Sequence, residues 1–252
     1  LEEHFGRRLV DTRGRGVRLT RAGEELKKHV QIELVNERRL MQRMAAGAPP
    51  LRLGATLSIA DYYLPKPLAG VLASGEAPRV CVGNTQTLTQ RMLEGELDCA
   101  LVEGFFDKSS YDWRVFATEH LMAVCAPDAP LARVKEPQRF EDLLDQHILV
   151  RERGSGTRAV LEHALAARNL SVESFARVTE IESVNIIKQF AASGYGIAFL
   201  YGAAVVCDLE AGTLARIPLA GHLIEHDITF IRPKGSVFGA EYARLFDDLR
   251  SV

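Results

Sequence analysis

Residues 1–26 have the sequence LEEHFGRRLVDTRGRGVRLTRAGEEL, which predicts the end of one helix, a basic β-hairpin and the start of a long helix. Gly6 follows one helical turn, and glycine commonly closes a helix because it adopts positive φ without strain. The runs 8–11 and 17–19 are strand-like, and the glycines between them suit a tight turn. Thr20 stands where a helix N-cap is expected.

Arginine is concentrated around this hairpin, at positions 7, 8, 13, 15 and 18. Guanidinium groups match phosphate oxygens, so we expect contacts to a DNA backbone from Arg8, Arg13, Arg15 and Arg18. The alternative is a solvated arginine-rich turn. Residues 1–46 carry eleven Lys or Arg against seven Asp or Glu, whereas the rest of the chain carries twenty against twenty-six. A basic end on an acidic body is typical of a protein that meets nucleic acid at that end.

Residues 20–46 predict a long helix, more than ~35 Å at 1.5 Å per residue. Its apolar positions recur at helical spacing and predict a dimerisation face of Leu26, Val30, Leu34 and Met41. The alternative is an amphipathic helix that lies on its own globular domain. Gly47-Ala48-Pro49-Pro50 ends the helix, because proline cannot continue one. The predicted organisation is therefore a hairpin at 1–19, a helix at 20–48 and a globular domain at 51–252.

The globular part alternates apolar strands with short helices, which predicts an α/β fold with a mostly parallel sheet covered on both faces. Two apolar runs, 121–125 and 227–231, are predicted to cross between two lobes. The first lobe is expected at about 51–124 and 226–252, and the second at about 125–225. Predicted strands are 51–55, 80–83, 98–102, 147–150, 177–181 and 196–200, and predicted helices are 59–73, 88–94, 157–168 and 184–192.

Three hydroxyl-rich turns each follow a strand and precede a helix, at Thr56-Leu57-Ser58, Asn84-Thr85-Gln86-Thr87 and Gly154-Ser155-Gly156-Thr157-Arg158. In open α/β sheets, ligands bind at the carboxyl ends of the strands. Free N–H groups at a helix start favour an anion there. Simple N-capping is the alternative for each turn, although one turn can cap a helix and bind a ligand at once. The sequence therefore predicts a cleft for a small anion.

Several segments resemble LysR-type transcriptional regulators. Leu1-Glu2…Gly6 and Val17-Arg18-Leu19-Thr20-Arg21-Ala22-Gly23 are similar to the pattern that closes the winged helix-turn-helix domain of that family. The segment from Gly54 to Pro65 resembles its first effector loop, and Ser183-Val184 resembles its second-lobe helix entry. Residues 151–158 resemble an Arg-Glu-Pro-Gly-Ser-Gly-Thr-Arg loop of members that regulate sulfur and carbon assimilation, with Arg153 in place of the proline.

The resemblance implies a bilobal effector-binding domain with a type II periplasmic-binding-protein-like fold, a linker helix and the wing of a DNA-binding domain. It also implies that the chain begins inside the recognition helix. The expected partners are double-stranded operator DNA, a small anionic effector and a second copy of the chain, as a dimer or tetramer in the cytoplasm, with no cofactor and no membrane. The expected effector-binding residues are Thr56, Leu57, Ser58, Asn84, Thr85, Gln86, Ser155, Gly156, Thr157, Ser183 and Val184.

Other classes of protein are less well supported by the sequence. The chain has no GxSxG or GxxxxGK[ST] motif, and no apolar run near the ~18 residues of a membrane helix. His222 and His226 are four apart without a third ligand nearby, so no zinc site is expected. The alternatives are a solute-binding protein of the same bilobal fold and an enzyme on that fold, such as a porphobilinogen-deaminase-like catalyst.

The four cysteines are widely spaced among apolar neighbours and are predicted to be reduced core thiols. A redox-sensing pair is the alternative. They are Cys81, Cys99, Cys125 and Cys207.

Overall fold

A computed structural model of the chain describes residues 1–12, 16–47, 49–221 and 224–250. The short helix α1 (Glu2–Phe5) ends at Gly6, whose φ is 59°. Strands β1 (Val10–Asp11) and β2 (Arg18–Leu19) pair antiparallel, as the hairpin prediction requires. The predicted N-cap is confirmed, because the Thr20 hydroxyl accepts a hydrogen bond from the Gly23 N–H at 3.1 Å.

Helix α2 (Arg21–Ala46) has two different faces. One face packs on the globular domain, where the buried Arg39 side chain forms ion pairs with Asp98 and Glu241. The other face leaves Val30, Leu34 and Met41 exposed. Packing on its own domain therefore accounts for one face of α2, and a partner helix on the other face stays a prediction.

The globular part consists of two α/β lobes. The first lobe contains β3 (Arg52–Thr56), α3 (Leu57–Tyr62), α4 (Pro65–Ala73), β4 (Arg79–Gly83), α5 (Thr85–Leu93) and β5 (Cys99–Val102), and it also includes α9 (Gly239–Arg250). The second contains β7 (His147–Val150), α6 (Gly156–Ala166), β8 (Arg177–Glu180), α7 (Val184–Ala192), β9 (Ile197–Tyr201), α8 (Gly202–Glu210) and β10 (Ala215–Ile217). Two long strands run between them, β6 (Tyr111–Cys125) and β11 (Ile224–Pro233).

The strands form one sheet in the order β4-β3-β5-β11-β6-β9-β7-β8, with β10 beside β6. Pairing within each lobe is parallel, between β3 and its neighbours β4 and β5 and between β7 and its neighbours β8 and β9. The two long strands pair antiparallel with each other, and they reach β5 on one side and β9 on the other. The runs predicted to cross between lobes belong to these two strands. The carboxyl ends of β3, β5 and β7 consequently meet at the interlobe cleft.

Two sequence predictions are wrong in detail. The single helix predicted at 59–73 is two helices, because Pro65 lacks a backbone donor and starts a new helix at its first turn. Of the four predicted core thiols, Cys99 and Cys125 are buried as predicted, Cys81 is only partly buried, and Cys207 is an exposed residue of α8. Among the described residues, no helix is long and apolar enough to cross a membrane.

Candidate functional site

The centre of the interlobe cleft is occupied by the carboxylate of Glu103, which follows β5 directly. The Thr56 hydroxyl, at the end of β3 in the first lobe, donates to Oε2 of Glu103. The Thr157 hydroxyl, in the first turn of α6 in the second lobe, donates to Oε1 at 3.1 Å. Two lobes therefore hold the two oxygens of one carboxylate.

Further hydroxyl groups lie close to Thr157 and to the backbone of Glu103. The Ser58 and Thr157 hydroxyl oxygens lie 3.4 Å apart, which brings the two lobes within hydrogen-bond distance of each other. The Thr85 hydroxyl donates to the backbone carbonyl of Glu103 at 2.5 Å. All of these side chains are buried, so water cannot compete for their hydrogen bonds.

The backbones of the lobes approach each other at two glycines. Gly104 has a φ of +86°, and a Cβ added there would lie 2.5 Å from the Cα of Gly156. A Cβ at Gly156 would lie 2.2 Å from the carbonyl oxygen of Glu103. Any side chain at either position would force the lobes apart. This contact explains the glycine at 156, next to the hydroxyl donor of the predicted loop.

Burial raises the pKa of the Glu103 carboxyl, while the Thr56 hydrogen bond, the Arg151 charge and the Thr157 hydrogen bond act in the opposite direction. Removing an ionised carboxylate from water is unfavourable, and hydroxyl donors only partly replace the lost hydration. Burial, with the Glu103 and Glu119 charges, also raises the pKa of Tyr201. Glu103 is thus a buried carboxyl group whose pKa is raised by burial and lowered by its hydroxyl donors and by Arg151.

Two buried donors near Glu103 have no hydrogen-bond partner among the described residues. They are Nη1 of Arg151 and the hydroxyl of Tyr201, on side chains that are 4% and 2% exposed. The charge of Glu103 interacts with both groups. Buried polar groups normally have partners, so unpartnered donors beside a cleft are consistent with a ligand site.

An outer cavity of about 610 Å³ opens beside Glu103, between α2, α5 and α6. Its polar lining includes Gln86, Arg153 and Ser155, and its apolar lining includes Phe105 and Phe106. The cavity is large enough for a small organic molecule.

The predicted effector-binding residues divide into three groups. Thr56, Ser58, Thr85 and Thr157 converge on Glu103, with Gly156 against its backbone. Asn84, Ser155 and Ser183 cap helices, accepting from the N–H groups of Thr87, Arg158 and Ile186, and Gln86 lines the outer cavity. Leu57 and Val184 pack in an apolar cluster of the second lobe.

The residues predicted to contact DNA are only partly described. Arg8 and Arg18 are exposed on the hairpin, as a phosphate contact requires. Arg13 and Arg15 lie outside the described residues, as does His222. Nε2 of His226 lies 3.0 Å from the carbonyl oxygen of Gly104, and the described part of the chain contains no group of three or more side chains placed to hold a metal ion.

Sequence reasoning missed Glu103. A signal for it exists, because the run 98–102 is a strand and the next residue is a carboxylate at the carboxyl end of that strand. A single acidic residue stands out less than a turn with several hydroxyl groups, which is why the turns alone were predicted. Arg151 and Tyr201, like Glu103, lie at the carboxyl ends of strands. Arg151 directly follows β7, and Tyr201 is the last residue of β9.

Relatives of the chain include transcriptional regulators. The uncharacterized HTH-type transcriptional regulator YeiE of Escherichia coli K12 is 27% identical over 219 residues, which are 86% of this chain and 73% of YeiE. The HTH-type transcriptional regulator CysL of Bacillus subtilis 168 is 27% identical over 184 residues, which are 72% of this chain and 60% of CysL.

Solved structures show the same fold. The regulatory domain of Synechocystis PCC6803 CcmR, in complex with 2-PG, has a TM-score of 0.71 at 24% identity and matches 80% of this chain and 96% of that domain. A full-length OxyR variant from Pseudomonas aeruginosa has a TM-score of 0.68 at 20% identity and matches 99% of this chain and 82% of that protein. The sequence model of the LysR substrate-binding domain matches residues 45–252, and the chain accordingly belongs to the LysR family of transcriptional regulators.

Proposed function

We propose that the chain senses a small anion in its interlobe cleft and thereby controls the binding of a LysR-type regulator to operator DNA. One observation carries this proposal: Thr56 and Thr157, from opposite lobes, donate to the same carboxylate. A cleft that holds the carboxylate of Glu103 has the donors and the shape to hold a carboxylate or another small oxyanion. The effector then competes with the Glu103 carboxylate for the hydroxyl donors of the cleft.

The chemistry around Glu103 supports an anionic effector. Thr56 and Thr157 supply neutral donors, and Arg151 and Tyr201 supply buried donors that a ligand would satisfy. Helix α6 also begins beside Glu103, at Gly156 and Thr157, and a helix N-terminus favours negative charge. The 2-PG complex of CcmR, a protein of the same fold, is in keeping with a small ligand in such a domain.

The proposed assembly follows from the same family membership. We infer a homodimer or tetramer that forms through the exposed apolar face of α2, and a cytoplasmic protein that meets DNA through its hairpin. The regulator relatives favour sensing over catalysis and over solute transport.

Calorimetry tests the proposal with Glu103→Ala and the wild type against carboxylates, sulfur oxyanions and sugar phosphates. The variant removes the internal competitor, so we expect at least one of these anions to bind it more tightly than the wild type. Thr157→Val in the same background is the matched control, and it should weaken that binding. Absence of binding to Glu103→Ala by every anion in the panel at millimolar concentration would contradict the proposal.

A further inference from the structure

We propose that residues 103–107, called here the connecting segment, transmit occupancy of the cleft to the long helix α2. The proposal rests on the proposed function, since it assumes that an effector displaces Glu103. One end of the segment is Glu103, held between the lobes by Thr56 and Thr157. The other end is Asp107, which forms an ion pair with Lys28 of α2 at 2.9 Å.

The middle of the connecting segment contacts three other elements, β11, α6 and β6. The carbonyl oxygen of Gly104 lies 3.0 Å from Nε2 of His226 on β11. The ring of Phe105 contacts His163 of α6 and His226, with ring centroids 5.0 and 5.1 Å apart. Phe106 contacts Tyr111 at the start of β6, with centroids 6.0 Å apart. These contacts limit local movement of the segment, although the Phe105 side chain is 55% exposed. We therefore expect a displacement of Glu103 to shift Asp107 as well.

The carboxylate at the far end is held by local hydrogen bonds. The Asp107 carboxylate accepts hydrogen bonds from the backbone N–H of Ser109 at 3.0 Å and from the hydroxyls of Ser109 and Ser110 at 2.6 and 2.8 Å. These bonds and the Lys28 ammonium hold the pKa of Asp107 well below its usual range, so it is ionised at neutral pH. Lys28 therefore binds a carboxylate that Ser109 and Ser110 hold in place at the end of the connecting segment.

Lys28 is well placed on α2 to receive this signal. Hydrogen bonds and ion pairs from described residues of α2 to the first lobe are also made by Asn36, Arg39 and Arg43. Of these contacts, that of Lys28 is nearest to the arginine-rich hairpin. The four peptide steps from Glu103 to Asp107 can span up to about 14 Å. The segment thus joins the cleft to the part of α2 that leads to the DNA-binding end.

The test is hydrogen–deuterium exchange of the full chain, which needs no knowledge of the effector. Glu103→Ala imitates displacement of the carboxylate, and we expect amide exchange to rise about threefold both in residues 103–110 and in the first half of α2. A surface ion pair is weak, so the expected change is small. Lys28→Met should raise exchange in α2 alone, and the double variant should raise it no further, because both changes break the same connection.

Two further variants keep the test decisive. Arg21→Met is the matched control, because Arg21 pairs with Glu25 within α2 and does not touch the connecting segment. In a chain that also carries Arg21→Met, Glu103→Ala should still raise amide exchange in α2. If Glu103→Ala does not fold, Thr157→Val repeats the test from the cleft side, because it removes one of the two hydroxyl donors that hold Glu103.

The proposal is overturned if Glu103→Ala changes residues 103–110 while α2 stays at the wild-type rate, or if the Glu103 and Lys28 effects add. Anion binding to Glu103→Ala, measured separately by calorimetry, distinguishes this failure from failure of the proposed function. If Glu103→Ala binds an anion but amide exchange in α2 does not change, only the proposed connection between the cleft and α2 is contradicted. If exchange in α2 rises but no anion binds, only the proposed sensing role is contradicted.

Discussion

Val30 and Arg39 lie nine residues apart on α2, which at 100° per residue places their side chains on opposite sides of the helix. Val30 is 44% exposed, whereas the side chain of Arg39 is 1% exposed against the first lobe. The helix is thus fixed to its own domain on one side and offers an apolar surface on the other. Such a surface on a helix favours pairing with a second helix.

Leu34→Glu should weaken self-association by several kcal/mol, because it would bury an unpaired charge between two helices. Leu34 is exposed on the apolar side of α2, so the isolated protomer should fold normally. Gln42→Glu is the control, since Gln42 is exposed but lies away from the apolar stripe. Sedimentation equilibrium measures the dimer constant, and equal constants for the two variants would argue against pairing through this face.

Arg39→Met should lower the free energy of unfolding by about 3 kcal/mol, because it leaves the buried Asp98 with one partner fewer. Asp98 is itself only 1% exposed and keeps its hydrogen bonds to Arg52 at 2.7, 2.8 and 3.2 Å, so the loss should not be larger. Arg38→Met, at an exposed neighbouring position, is the control. Urea denaturation gives both values, and unchanged stability of Arg39→Met would show that the ion pair does not hold α2 in place.

Glu103→Gln should change the pH dependence of stability. Burial raises the pKa of Glu103 above its ordinary value of 4.5, so the folded state binds a proton more readily than the unfolded state. The wild type therefore loses stability as pH rises from about 4.5 through the raised pKa. The glutamine variant lacks this loss, so its advantage over the wild type should grow across that interval. Urea denaturation from pH 4 to 8 measures it, with exposed Glu76→Gln as the control, and a constant difference would refute the prediction.

Thr56→Val, made in the Glu103→Ala background, should weaken anion binding on the order of ten- to a hundredfold. The substitution keeps the shape but removes one buried donor, which costs about 1–3 kcal/mol. Ser74→Ala is the control, because the Ser74 hydroxyl donates to the carbonyl of Val71 at the end of α4, outside the cleft. Isothermal titration gives both affinities, and equal values for the two variants would place the anion elsewhere.

The parts of the fold that local chemistry determines could be predicted from the sequence. The alternation of apolar strands and helices identifies both lobes, and Thr20 marks the start of α2 because its capping geometry depends on adjacent residues alone. The break before α4 could have been predicted from Pro65, but the apolar pattern continues through it. The fifteen-residue length of β6 could not, because residues 111–120 are stabilised by the distant partner β11.

The hydroxyl donors of the candidate site could be predicted from the sequence, but the carboxylate to which they donate could not. Thr56 and Thr157 stand in turns whose spacing indicates a helix start, and the order of strands brings them to one cleft. Their shared partner Glu103 is separated from them by 47 and 54 residues, and only the tertiary structure shows that its carboxylate lies between them. A close contact such as that of Gly104 with Gly156 is equally invisible in a single sequence.

The proposed competition between Glu103 and the effector has a practical consequence for identifying that effector. A ligand that competes with Glu103 binds only the fraction of molecules in which the cleft is open, so its apparent affinity falls by that fraction. Thermal-shift screens of the wild-type protein will consequently under-report true effectors and rank them by their ability to expel a side chain. A screen on Glu103→Ala, followed by a return to the native chain, would order candidates by their fit to the hydroxyl groups instead.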